Sequence, residues 1–388
     1  MKYTNSYNIS AEIKPFTNSG YIFTKLHLYE ELGGMIAYGE CSLLLTSSDK
    51  DGDDALNILD ETNEGEISIE DGNQGGLIRT IPIFIYEKEK NHNNANIKFV
   101  CIKDKDFFET KRSNVNHIVL DKDGYEKEVG GWPITKESIE TLYKGKSDIR
   151  VNYDCLKDVT YNQTYETDYD VCKKLCLGYK KNTVFCFGWE GLMLKDLIGD
   201  YNSFGKHEEK SVSAYDDGNL KEMTIYEGSD FSNTTPYNSL YNKRLFNNSA
   251  SNEWETSEHN VSYSVSKDFI TINNYDYSFI VDKDQEEFAY NMLENKKYND
   301  SNMFMKIEIT YTSKAPLYKI GDIVRYRASL KDSKFPFSLC LVKSNEILIT
   351  AEDDGDVNLD PNGLPYSWKV VLLGLVKDGE ILKDSTEN

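Results

Sequence analysis

The chain has 388 residues, 39% apolar and 28% charged, which is ordinary for a soluble globular protein with room for two to four domains. Lys and Arg total 44 against 65 Asp and Glu, a formal net charge of −21, and so acidic a chain is poorly suited to gripping nucleic acid, because phosphate binding needs Lys and Arg. No stretch approaches the roughly 20 apolar residues of a membrane span, and MKYTNSYNISAEIKPF lacks the apolar run of an export signal, so a protein made and kept in the cytosol is expected.

Residues 1–20 read as an irregular arm that becomes a strand. Residues 21–30 (YIFTKLHLYE) are strand-like, and the Gly33-Gly34 pair predicts a turn into the next strand. A run of β signals follows: GECSLLLTSSD (39–49), GEISIE (65–70), LIRTIPIFIYE (77–87) and NIKFVCIKD (96–104), with an acidic loop and one helical turn over 46–64. Residues 104–136 are loop-rich. TKESIETLYKG (135–145) predicts a helix with Thr135 as N-cap, Ser138 at N3 and an apolar face of Ile139, Leu142 and Tyr143. A second helical region is expected over 161–181, capped by Thr167 or Asp168, with Val171, Cys172, Leu175 and Cys176 on one face. VFCFGW (184–189) is too continuously apolar for an exposed strand and is expected at the centre of a sheet; Gly191 reads as a turn and LMLKDLI as a second strand. Residues 205–262 are polar apart from the strand TIYEG, and 247–262 reads as an exposed loop. A third helix is expected over 281–302, with Phe288, Ala289, Met292 and Leu293 as its stripe and acids at its start. A second set of strands closes the chain: FMKIEITYT (304–312), IGDIVRYRAS (320–329), FSLCLVKSNEILIT (337–350) and WKVVLLGLV (368–376). The tail 379–388 is expected to be disordered.

The same layout of short β runs thus occurs at both ends of the chain, around a mixed block. The fold class that follows is mainly β with an α+β insert: two small antiparallel β-barrel domains flanking a mixed α/β domain. Two such modules in one chain point to assembly rather than catalysis.

Chemistry is sparse. The five histidines, His27, His92, His117, His207 and His259, have no metal-ligand spacing, and no HExxH, GxSxG, Walker loop or GxGxxG occurs. No catalytic, cofactor-binding or metal-binding residue is assigned. The seven cysteines include no CxxC pair; Cys41, Cys101, Cys186 and Cys340 lie in apolar runs, and Cys172 and Cys176, one helical turn apart, are assigned to core packing ahead of metal binding. The acidic stretches 49–53, 121–124 and 352–363 resemble Ca²⁺ loops. None completes an EF-hand: with Ser47 as first position the twelfth is Ile58, and Pro361 stands where glycine is needed, so Asp/Asn/Gly turn chemistry is preferred.

The order of elements in 284–327, a helix (DQEEFAYNMLENKKY), a strand (MFMKIEITY), a short loop with Pro316, then YKIGDIVRYR with Gly321-Asp322 turning into a strand, resembles the second barrel of the contractile-tail hub family. That family includes the baseplate hub of T-even-like phages and the hub portion of type VI secretion spike proteins. VFCFGWEGLMLKDLIGDY is similar to the paired strands of the family's mixed domain, TKESIETLYK falls where its first helix would lie, and YGECSLLLTSSD fits the first barrel. On this resemblance the first barrel spans 1–110, the mixed domain 111–205 and 246–302, and the second barrel 206–245 and 303–378. The resemblance implies a homotrimer whose six barrels form a pseudo-sixfold ring, joining a threefold central spike to a sixfold tail tube in a virion baseplate assembled in the host cytoplasm. Its partners would be the spike, the tube protein and other baseplate components. DNA would pass the lumen without specific binding, which gives the acidic balance a reason. The competing expectation is a carbohydrate-binding or adhesive β protein stabilised by calcium; a cell-wall hydrolase is the third.

Overall fold

The computed structural model describes residues 3–4, 9–16, 21–45, 57–71, 77–91, 94–113, 116–120, 125–151, 156, 159–197, 211–213, 220–226, 262–265, 269–273, 278–282, 287–288, 291–292, 295, 299, 306–311, 318–327, 339–350, 352–353, 356–357, 366–377 and 380–381.

The first β block consists of β1 (Ile9–Lys14), β2 (Tyr21–Glu31), β3 (Gly33–Ile36), β4 (Tyr38–Leu45), β5 (Glu64–Asp71), β6 (Leu77–Asn91) and β7 (Asn94–Val100). Strict alternation places Cys41 and Leu43 of β4 and Ala95, Ile97 and Phe99 of β7 in the core and their neighbours outside it. The mixed block carries α1 (Asp106–Glu109), α2 (Lys136–Tyr143), β8 (Ser147–Arg150), α3 (Asp168–Gly178), β9 (Thr183–Gly188) and β10 (Gly191–Asp196). The second β block consists of β11 (Leu220–Tyr226), β12 (Lys306–Tyr311), β13 (Ile323–Arg327), β14 (Leu339–Thr350) and β15 (Tyr366–Gly374). The chain is therefore mainly β, with few helices and a curled antiparallel sheet.

Apart from β3, the two β blocks are one sheet. Its 13 strands run from a short Tyr3–Thr4 strand through β1, β5, β6, β7, β4 and β2, then straight into β14, β15, β12 and β11, while β13 pairs with β14 and with a short strand at Ser211–Ser213. The join is seven residue pairs long, from Ser344 opposite Glu31 to Thr350 opposite Lys25. The second sheet has four strands in the order β8, β10, β9, β3. Every residue of β9 is buried, as its unbroken apolar run requires. It forms an antiparallel hairpin with β10 and pairs in parallel with β3. Gly33-Gly34 is accordingly not a hairpin turn, as expected from sequence. It is where the chain leaves the long sheet after Leu32 and enters the small one.

Thr135 caps α2 through the Ser138 amide, as read from sequence. The helix expected over 161–181 begins only at Asp168; 160–161 and 164–167 are short strands, and Tyr165 stands at φ 54, outside the helical region. Thr167 is the cap, completed into a capping box by Asp170. Of the third expected helix, Val281 and Asp282 belong instead to a strand, Ser278–Asp282, and residues 287, 288, 291, 292, 295 and 299 are helical, with Phe288 and Met292 buried. In the tail, Glu380–Ile381 pair with Val376–Lys377. Of the expected loop over 247–262, Ser262 opens a strand, Ser262–Val265; 247–261 lie outside the described residues, as do the acidic stretches 49–53 and 121–124 and His92, His207 and His259. Of 352–363, Glu352–Asp353 pair antiparallel with Asp356–Val357, and the rest lies outside the described residues.

Candidate functional site: the seam between the two β blocks

Three parts of the chain meet where β2 runs out. Leu26, Leu28 and Glu30 of β2 share one face, and all three are buried, so the apolar row ends in a carboxylate. Glu30 accepts hydrogen bonds from the Trp189 amide at 2.8 Å, in the β9–β10 turn, and from Asn345 Nδ2 at 2.9 Å, directly across the seam on β14. Asn345 Nδ2 also donates to the Tyr318 carbonyl at 3.0 Å, and Asn345 Oδ1 accepts from the Trp368 indole of β15 at 3.1 Å. Trp368 in turn stacks on Tyr311 of β12. One polar chain thus ties the first block, the mixed sheet and the second block. Burial pushes the pKa of Glu30 up, while Arg79, Asn345 and the Trp189 amide pull it back.

The Gly321-Asp322 turn singled out in the sequence belongs to the same junction. Gly321 N donates to the Val342 carbonyl at 2.9 Å. Asp322 accepts from the Lys319 amide at 3.0 Å and from the buried Lys195 of β10 at 3.1 Å. Its role is to pin the second block to the mixed sheet.

On the other face of the long sheet a row of alternating charge crosses seven strands, through the seam. Glu308 (β12) lies 3.7 Å from Lys369 (β15), which pairs with Glu346 (β14) at 2.5 Å; Glu346 stands 2.9 Å from His27 (β2). His27 is opposite Glu40 (β4), Glu40 opposite Lys98 (β7), and Lys98 pairs with Glu87 (β6) at 2.8 Å. Lys25 reinforces Glu40 at 2.6 Å. Opposite charges across neighbouring strands favour this register; a slip by one residue would turn the charged positions toward the core and the apolar ones outward.

The cysteines carry no such pattern. Cys172 and Cys176 are fully buried on α3 and burial pushes the Cys172 thiol up, away from the thiolate a metal would need. Among the described residues no group of three His, Cys, Asp or Glu side chains converges as a metal site, and no helix is long and apolar enough to cross a membrane.

No protein-family model and no curated protein matches the chain. Solved structures do. A chain of the Francisella PdpA–VgrG complex aligns with a TM-score of 0.50 at 11% identity, over 94% of this chain and 57% of that one. The tail protein of Neisseria meningitidis MC58 aligns at 0.49 and 9% identity, over 94% and 96% of the two chains. The 43 kDa tail protein of prophage MuSo2 from Shewanella oneidensis aligns at 0.45 and 10% identity, over 91% and 94%. The chain therefore shares the fold of a chain of the Francisella PdpA–VgrG complex.

Sequence reasoning about this fold missed Glu30 and Asn345. The signal was present: each is a polar residue at an inward position of an otherwise apolar strand, which demands a buried partner. It also missed the charge row, because its members look like ordinary solvated positions until the strand order is known.

The row has a pH signature. The His27 hydrogen bond, and then Lys369, hold Glu346 at about 2 against burial that pushes it up. Below its ordinary value of 4.5 the unfolded chain binds the proton more readily than the folded one, so this contribution is complete above 4.5 and is lost as the pH falls toward 2. For a side chain this accessible the contribution is about 1 kcal/mol. Glu346→Gln is expected to lower stability at pH 6 and to flatten the loss between pH 4.5 and 2.5, read by urea unfolding; parallel pH profiles for the two proteins would refute the assignment.

Proposed function

We propose that the chain is a structural, non-catalytic hub of a phage-tail baseplate: a homotrimer forming a pseudo-sixfold ring that joins a threefold central spike to a sixfold tail tube and lets DNA pass. The observation that carries this reading is the continuity of the long sheet. Two β blocks from opposite ends of the chain stand side by side through β2 and β14, the arrangement that lets one chain supply two neighbouring modules of a ring. Three chains then supply six. The net charge of −21 per copy suits a channel that releases DNA rather than holding it. The spike, the tube protein and other baseplate components are the partners on this reading, and the virion tail is its location.

Mass photometry with negative-stain imaging of the purified protein, alone and with spike and tube proteins, tests it. Particles of three 44.5 kDa chains with an open centre are expected. A monomer that stays monomeric with both partners present would overturn the reading.

A further inference from the structure

Between the long sheet and the four-stranded sheet lie two adjoining cavities of about 270 and 700 Å³. Arg79 of β6, Lys146, Glu190, Gly191 and Lys319 line both. Arg79 is only 7% exposed. Among the described residues its guanidinium makes no hydrogen bond; the nearest carboxylate oxygen, on Glu190, is 3.9 Å from Nε, and Glu190 is also paired with Lys319. A buried guanidinium has five N–H donors to satisfy, and leaving them unmet is costly. At the wall of the larger cavity the indole N–H of Trp189 is also buried without a partner.

The lining is cationic. The smaller cavity sets Arg79, Lys146, Arg150, Lys195 and Lys319 against Glu30, Asp148 and Glu190, and the larger adds Lys103 and Lys144 against Glu66 and Asp104. Seven cations face five acids, and with Lys195 held by Asp322 just outside the lining the excess is one positive charge, in a chain where acids outnumber bases 65 to 44.

We infer that this cleft is a docking site for an acidic peptide segment of a partner protein, with one carboxylate taken by Arg79 and its neighbours held by Lys144 and Lys146 at the mouth. A planar carboxylate matches the guanidinium fork. The five interleaved acids disfavour a polyphosphate, which would meet like charge at every step, whereas a peptide can place its carboxylates between them. The site is independent of any ring: it lies within one chain.

The test is fluorescence anisotropy of a labelled hexaglutamate peptide titrated with the full chain at low salt. Saturable binding is expected, weakened at least tenfold by Lys144→Glu/Lys146→Glu, both exposed positions, and several-fold by Arg79→Lys, which keeps the charge but loses the fork. Lys136→Glu, on α2 and outside the cleft lining, is expected to bind as the wild type does. Absence of saturable binding, equal binding by the Lys144→Glu/Lys146→Glu protein, or equal affinity for a labelled hexathymidylate would overturn the inference. Displacement of the peptide by inorganic phosphate as readily as by free hexaglutamate would reduce the site to a generic anion hole and overturn it too.

Discussion

Gly191→Ala is expected to lower stability by more than about 3 kcal/mol, enough to remove much of the margin of a typical domain. Gly191 opens β10 just after the two-residue turn, at φ +110, a conformation that L residues rarely adopt. A Cβ there would stand 2.0 Å from the Lys146 carbonyl oxygen and 3.0 Å from its carbon. The obstacle is backbone, so no rotamer change relieves it. Moving Lys146 away would break the Leu192 N–H bond to that carbonyl, 3.0 Å long, at the first rung of the parallel β8–β10 pairing. Gly188→Ala, on the other side of the same turn, is the comparison. Its Cβ meets Glu30 Oε2 at 2.7 Å, a side-chain rather than a backbone atom, so the clash is relieved by loosening the Trp189 amide bond to that oxygen and a loss of about 1–2 kcal/mol is expected. Urea midpoints at constant slope give both numbers; a wild-type midpoint for Gly191→Ala would disprove the close approach.

Asn295→Ala should cost about 3–5 kcal/mol, since it leaves several buried polar groups unmet at about 1–3 kcal/mol each. Asn295 is fully buried. Its Nδ2 shares its two hydrogens among the Leu177 carbonyl and Thr183 Oγ1, each at 2.7 Å, and the Lys180 carbonyl, while its Oδ1 accepts from the Thr183 amide at 2.9 Å. One side chain thus satisfies the end of α3 and the start of β9. Asn291 and Asn299, one turn away on either side, continue the pattern: Asn291 donates to the Gly178 carbonyl, and Asn299 bridges the Thr183 carbonyl and the Phe185 amide. Asn295→Asp separates the contributions, because it keeps the acceptor for Thr183 and loses the donors. An Asp variant as stable as the wild type would show that the donor side contributes nothing. Equal, small losses in both variants would mean that the ladder is decoration rather than support.

That ladder shows where the sequence was legible and where it was not. The strands were readable because burial imposes a period of two, and β12 alternates without exception. The caps at Thr135 and Thr167 were readable because capping is local chemistry. Asn291, Asn295 and Asn299 share the four-residue spacing of a helix face, but the stripe sought there was apolar, so Phe288 and Met292 were found and the asparagines were not. The start of α3 was placed too early because the short strands at 160–167 carry no pattern of their own; only the backbone at Tyr165 excludes a helix. The seam was hidden for a different reason. Nothing local in β2 or β14 names its neighbour, and the partner lies at the other end of the chain.

That distance sets an order of events in the cell. Leu28 waits for Ile347, so at ordinary elongation rates of about 5–20 residues per second the ribosome delivers the missing neighbour roughly 15–65 s after β2 emerges. Throughout that interval the nascent first block carries an open strand edge, the kind of surface that recruits strands from other chains. His27 and Glu31 punctuate that edge with charge before their partners Glu346 and Lys343 exist, so the residues that later fix the seam also guard it while the chain is unfinished.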